Sequence, residues 1–251
     1  MIEGPLTPED YVRACRLLKR RDPVLAATIK QIGPCNLSAR QHTDHLTALV
    51  RAIVGQQLSG KAAATIFERF RALFPGGVIT APGISALDDA ALRGVGLSGQ
   101  KLGYLRDLCG RIADGRLQLD ELDVLDDEAV IERLVAVKGF GRWTAEMFLM
   151  FRLQRPDVLP VGDLGIMKAM QKIYRLRKRP NPAKMLQIGE AWRPYRSVAS
   201  WYLWQSLAVK PPDAADRKAA PDLKVGPTST RRLSPKAKSI RRQSRRASRA
   251  R

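Results

Sequence analysis

Leu134-Val-Ala-Val-Lys-Gly-Phe-Gly-Arg-Trp-Thr-Ala-Glu-Met147, followed by Val161-Gly-Asp163-Leu-Gly165, decides how the rest of the chain is read. The pattern predicts a helix from Asp126 to Ala136, a tight turn at Lys138-Gly139-Phe140-Gly141, and a second helix that starts at once. Paired glycines let such a turn adopt positive φ and let its backbone approach another surface closely. The N–H groups at the start of the second helix then point outward, where the helix dipole favours an anion. A backbone phosphate fits that description. Asp163, opening the next helix, adds one fixed carboxylate beside the same surface.

Charge points the same way. The 251 residues carry 44 Lys+Arg against 24 Asp+Glu, a net charge of +20. An excess of that size calls for a polyanionic partner, nucleic acid or an anionic membrane surface. No apolar run reaches the roughly 18 residues a membrane span needs, and the acidic start Met1-Ile-Glu-Gly-Pro5 does not read as a signal peptide. Nucleic acid, met inside the cell, is the partner expected. Cys15, Cys35 and Cys109 are far apart and odd in number, so they read as reduced core or boundary thiols rather than a disulfide framework or metal set. His42 and His45 share one helix at i, i+3 but have no third ligand, and read as surface or boundary residues. No metal is expected.

Periodicity is helical nearly throughout, and the class is all-α. Asp22-Pro23 reads as an N-cap and N1 proline, opening a helix toward Gln31. Thr43 or Asp44 opens the next, with Leu46, Leu49, Val50, Ile53 and Val54 at helical spacing. Ser59 opens a third, and Ser85 with Asp88 resembles an acidic capping box. Further helices are expected from about Ser98, Asp126, Gly141, Asp163 and Pro182, with a last one from Pro194 toward Ala208. Leu92-Arg-Gly-Val-Gly-Leu-Ser-Gly-Gln-Lys101 echoes the hairpin outline. It reads either as an ordinary helix connection or as a second backbone contact with Lys101 near a phosphate.

Composition changes after Lys210. Pro211-Pro212 stops the last helix, and Lys224 to Arg251 holds eleven Lys+Arg and no acid. Such a segment cannot bury enough apolar surface to order itself. The expected organisation is a helical domain over 1–210 and a disordered basic tail over 211–251. About +9 remains on the rest of the chain, which is basic in its own right.

The hairpin with its downstream aspartate resembles the helix-hairpin-helix, Gly/Pro-Asp superfamily of DNA base-excision glycosylases, and most closely its alkylpurine (3-methyladenine) branch. The resemblance covers roughly residues 40 to 208. It implies a two-lobed helical fold with the active site between the lobes and a single chain acting on double-stranded DNA with alkylated bases. The four-cysteine cluster motif of some relatives is missing after the last helix, so no iron–sulfur site or other cofactor is expected. By itself, an aspartate directly before a helix is an N-cap. The resemblance adds the catalytic role, and Gly162 is expected to leave the carboxylate uncrowded. The roles agree, because breaking an N-glycosidic bond builds positive charge on the deoxyribose that a carboxylate stabilises.

Trp143 stands where lyase-competent relatives carry a lysine nucleophile, so the resemblance implies a monofunctional glycosylase with water as nucleophile. Trp143 reads as core packing or as a wall of the base pocket. Trp192-Arg-Pro-Tyr-Arg-Ser-Val-Ala-Ser-Trp-Tyr-Leu-Trp204 is similar to the branch's last block, placing Trp204 in the pocket with Trp201 and Tyr202 as alternatives. Met147 falls where some relatives have a pocket tyrosine. Arg51-Ala-Ile-Val-Gly-Gln-Gln-Leu-Ser-Gly-Lys61 resembles the loop that fills the gap left by an extruded base. Gln57 or Leu58 is the wedge, or the stretch is only a turn capped by Ser59. Backbone contacts are expected from Lys138, Gly139, Phe140, Gly141, Arg142, Ser59 and Lys101. Two other classes stay open: a non-catalytic DNA-binding protein, and a glycosylase for another damaged or mismatched base.

Overall fold

Local capping sets most of the helix boundaries in the computed structural model, which describes residues 6–37 and 44–209. Thr7 and Asp10 form a reciprocal capping box at the start of α1 (Pro8–Arg21). Asp22 then ends α1 and accepts the Val24 and Leu25 N–H groups to open α2 (Pro23–Ile32). Asp44 caps α3 (His45–Gly55) and Ser59 caps α4 (Gly60–Arg71). Each such side-chain cap contributes about 1 kcal/mol.

The Ser85 reading is corrected. Thr80 caps α5 (Ala81–Ala86), whose early Pro82 starts the helix ahead of Ser85, and Asp88 alone caps α6 (Asp89–Gly94). Ser98 caps α7 (Gly99–Ala113), Asp126 caps α8 (Asp127–Val135), and α9 (Arg142–Phe151) follows the hairpin turn. Asp163 caps α10 (Leu164–Ile173) and Asn181 caps α11 (Pro182–Gly189). The last helix, α12 (Arg196–Ala208), begins two residues after Pro194, because Tyr195 still has non-helical backbone angles. No strand occurs among the described residues, and no helix is long and apolar enough to cross a membrane. The expected tail, 211–251, lies outside the described residues.

The helices enclose two apolar cores. The first is built from α3 to α9, with Leu49, Ile53, Phe70, Leu105, Leu134 and Leu149 almost fully buried. The second joins the two ends of the described chain: Leu18 and Leu25 from α1 and α2 pack with Met170, Trp192, Val198 and Leu203. Burying a side chain of this size contributes about 1.5–3 kcal/mol. Phe151 and Trp204 touch both cores. The chain crosses between them over residues 152–163, and this crossing is tied down along its length. Arg155 donates to the Asp123 and Leu125 carbonyls. The Val158 N–H donates to Ser197 Oγ, and Arg196 holds Asp157. Asp163 is therefore delivered to a fixed place where the lobes meet.

Candidate active site

Asp163 is only 7% exposed, and three N–H donors converge on its carboxylate. Oδ1 accepts the Ile166 N–H at 2.7 Å, the N-cap bond, and the Trp204 Nε1–H at 3.0 Å. Oδ2 accepts the Trp143 Nε1–H at 2.7 Å. Each donor comes from a different helix: α9, α10 and α12. All three neighbours donate, which suits an ionised carboxylate that can only accept. Gly165 makes the approach possible, since a Cβ there would lie 2.9 Å from Asp163 Oδ1 and 3.2 Å from Trp204 Cδ1. Gly162, expected to keep the carboxylate uncrowded, has nothing within 4 Å of a built Cβ. The room comes from Gly165 instead.

The carboxylate opens on a cavity of about 250 Å³. Trp143, Met147 and Phe151 line one side from successive turns of α9, and Trp201, Trp204 and Gln205 line another from α12. Phe151 braces Trp204 in a stacked arrangement at 5.7 Å. Trp143, at 50% exposure, is not a core residue. Trp143 and Trp204 both turn their N–H edge to Asp163, which leaves a face of each indole to other contacts. Tyr202, the other aromatic alternative, is buried in the second core, where its hydroxyl donates to the Gly33 carbonyl. Asn36 and Leu37 complete the lining from the segment after α2. Nothing in their local sequence marks them, because only folding brings that segment to the cleft.

The hairpin turn differs in detail from the paired-glycine expectation. Gly139 has φ +84°, and a Cβ there would meet the Tyr104 ring at 2.3 Å. Gly141 has φ −106° and open space around it, so only the first glycine is required by conformation. The Lys138 N–H donates to Asp107 Oδ2, and the Phe140 N–H donates to the Val137 carbonyl. Phe140 itself is a core side chain, 6% exposed, rather than a surface contact. Gly141 opens α9 without a capping side chain, so the amides of the first turn of α9 lack the usual local partner.

Two of the cations expected at phosphates are held elsewhere. Arg142 forms a two-pronged ion pair with Glu128 and also bonds Glu146, clamping α8 to α9. Lys101 donates from Nζ to the Val54 carbonyl at 2.7 Å, closing the end of α3, and this partial burial lowers its pKa. The Lys138 side chain has no ion pair among the described residues, and Ser59 is an exposed cap.

The loop between α3 and α4 holds Gln57 at φ +60°, uncommon outside glycine. Gln57 and Leu58 are both exposed. Its neighbour Gln56 donates from Nε2 to the Gly139 carbonyl at 2.8 Å, tying this loop to the hairpin turn. This tie joins residues 83 apart, and nothing in the local sequence encodes it. His45, expected at the surface or boundary, is instead buried at 7% exposure and pairs with Asp123 at 2.9 Å. His42 lies outside the described residues. Among the described residues no cluster of three metal-ligating side chains occurs, and Cys15, Cys35 and Cys109 are free thiols.

Comparison with known proteins places this geometry. The model of the HhH-GPD superfamily of base excision DNA repair proteins matches residues 50–194. DNA-3-methyladenine glycosylase 1 of Schizosaccharomyces pombe is 38% identical over 160 residues, covering 63% of this chain and 70% of that protein. The solved structure of the 3-methyladenine DNA glycosylase of that yeast in complex with abasic DNA superposes with a TM-score of 0.71 at 33% identity, covering 78% of this chain and 97% of the other. A DNA-3-methyladenine glycosidase from Bacillus halodurans gives a TM-score of 0.67 at 38% identity, covering 76% and 86%. The family match spans the α3–α4 loop, the hairpin and the carboxylate where the two cores meet, and the chain belongs to the HhH-GPD superfamily of base excision DNA repair proteins.

Proposed function

We propose that this protein is a monofunctional DNA glycosylase that hydrolyses the N-glycosidic bond of alkylated purines, 3-methyladenine and 7-methylguanine, in duplex DNA. The observation that carries the reading is a buried carboxylate hydrogen-bonded by two indoles at the edge of an aromatic cavity. The solved relative bound to abasic DNA supports it, because an abasic site is the product of such a reaction.

The target bond is inaccessible inside the duplex, so the nucleotide must be extruded first. Gln57 or Leu58, exposed on the α3–α4 loop, fills the gap. Lys138, Ser59 and the first-turn amides of α9 grip the phosphates. The base enters between the faces of Trp143 and Trp204, with Met147 behind them. An alkylated purine carries delocalised positive charge, which an indole face attracts by roughly 0.5–2 kcal/mol. That charge also makes the base a good leaving group.

As the C1′–N bond breaks, its electron pair leaves with the base and the sugar becomes cationic. Asp163 stabilises that cation. Its Oδ1 is engaged by Ile166 and Trp204, whereas Oδ2 has only Trp143. Oδ2 is thus the oxygen that orients water, which attacks C1′ and gives its proton to the carboxylate. With tryptophan at position 143 there is no amine to form a Schiff base. The strand is left intact at an abasic site. One chain supplies the whole site and acts as a monomer, inside the cell where DNA is.

Release of free methylated base from methylating-agent-treated duplex tests the reading. Asp163→Asn keeps the cap geometry without the charge and should lower release by on the order of 10²–10³ while duplex binding persists. Wild-type turnover by that variant removes Asp163 from the mechanism. Borohydride should trap no covalent adduct with the wild-type protein, and efficient trapping would reassign the nucleophile to an amine.

A further inference from the structure

Six cations on the second lobe have no part in the cleft. Lys19 and Arg20 lie in the last turn of α1, and Arg175, Arg177, Lys178 and Arg179 follow α10. All six are exposed, and none makes an ion pair or a side-chain hydrogen bond among the described residues. The two segments are brought together by Asp22, which directly follows α1 and accepts a short hydrogen bond from the Tyr174 hydroxyl at the end of α10. Trp192 Nε1 donates to the same Asp22 oxygen at 2.8 Å, while the other oxygen caps α2. Asp22 is 6% exposed and accepts four hydrogen bonds, and its single charge offsets at most one of the cations around it.

Helix dipoles do not account for the cluster. Each helix C-terminus carries about half a negative charge, so the ends of α1 and α10 together offset about one of the six. The remaining cations repel one another in an arrangement that an external polyanion would relieve. The cluster also lies at the wrong end of α10 to serve the cleft. Asp163 caps the N-terminus of that helix, and its ten residues place the far end about 15 Å away.

We propose that this cluster is a second DNA-binding surface, which holds a duplex segment separate from the one in the cleft. It rests on the reading of the cleft as a DNA site. Nucleic acid is favoured over a protein partner because a protein interface needs a desolvated apolar or aromatic centre. The six residues offer only exposed charge, which suits phosphate backbones read without sequence. A protein with two such surfaces bridges neighbouring duplex segments, and so passes between them during search without full release.

Bridging is measured with the full chain and two short undamaged duplexes, one carrying a donor dye and the other an acceptor. Wild-type protein should bring the dyes together at low salt. Lys19→Gln with Arg20→Gln, and separately Arg177→Gln with Lys178→Gln and Arg179→Gln, should each weaken the second association by about tenfold or more, since every phosphate contact carries a slope near 0.9 in log K against log salt. Both variants should release methylated base from a short damaged duplex at the wild-type rate. Absence of bridging by the wild type overturns the proposal, as does full bridging by both variants. Capture of a glutamate-rich peptide in place of the second duplex also overturns it in favour of a protein partner. Loss of base release by the wild type would instead count against the glycosylase reading, so the two failures are distinct.

Discussion

Asp163 Oδ1 serves two donors that act on different parts of the molecule. The Ile166 N–H fixes the start of α10, and the Trp204 indole fixes the carboxylate against α12. Trp204→Phe separates these effects, because it keeps an aromatic ring stacked on Phe151 while deleting the N–H donor. We expect kcat for release of 3-methyladenine to fall by about tenfold, since a hydrogen bond to a charged group is worth roughly 1.5–3 kcal/mol and its loss lets the carboxylate rotate. The melting temperature should move little, because the cap bond remains. An unchanged kcat with a raised KM would show that Trp204 only packs against the base. At this scale the sequence is legible where the bond is local. Asp163, Ser59, Ser98 and Asp126 all cap helices through bonds three residues ahead, and the residue type announces the role. The Trp204 and Trp143 bonds to Asp163 span 41 and 20 residues, and no local pattern encodes them.

Between elements, the α3–α4 loop and the hairpin turn are coupled through one side chain. Gln56 Nε2 donates to the Gly139 carbonyl, and Gly139 can sit there only because it lacks a Cβ that would strike the Tyr104 ring. Beneath the same turn, Asp107 accepts the Lys138 N–H, and Arg111 holds Asp107. The loop that would enter the duplex and the turn that would grip its phosphate therefore move as one unit. Gln56→Leu keeps the bulk and removes the donor. Base release from duplex should fall by about tenfold, in line with roughly 1–3 kcal/mol for leaving a partner unsatisfied. Release from an already extruded base opposite a gap should be much less affected, since the loop has no base to displace there. Equal loss on both substrates would mean that Gln56 supports the cavity rather than extrusion. The hairpin itself was legible from Gly-Phe-Gly between two apolar periodic stretches. Its supports were not, because Tyr104 and Asp107 belong to α7, distant in sequence and ordinary in local pattern.

Across the whole molecule, the second lobe is assembled from both ends of the described chain, so the cleft lies where the chain crosses from one core to the other. Helical periodicity predicts the helices, but not that α1 and α2 return to pack on α10 and α12; Asn36 and Leu37 reach the cavity only through that pairing. Charge is the property of the whole chain that the sequence states most directly. Eleven of its cations fall between Lys224 and Arg251, beyond the described residues, and about +9 remains on the rest. Those eleven cannot all meet phosphates at once. Even about four would steepen log K against log salt by about 3.6, at nearly one unit per phosphate. A chain ending at Lys210 should keep its single-turnover rate on saturating damaged duplex, because every cavity residue lies before that point. It should bind undamaged duplex more weakly and with a shallower salt slope, yet still bind through the hairpin. Titration of both lengths at several salt concentrations, followed by fluorescence anisotropy, measures the two slopes. Equal slopes would take DNA away from residues 211–251 and leave the α9 amides, Lys138 and Ser59 to carry the contact to the phosphate backbone in the cleft.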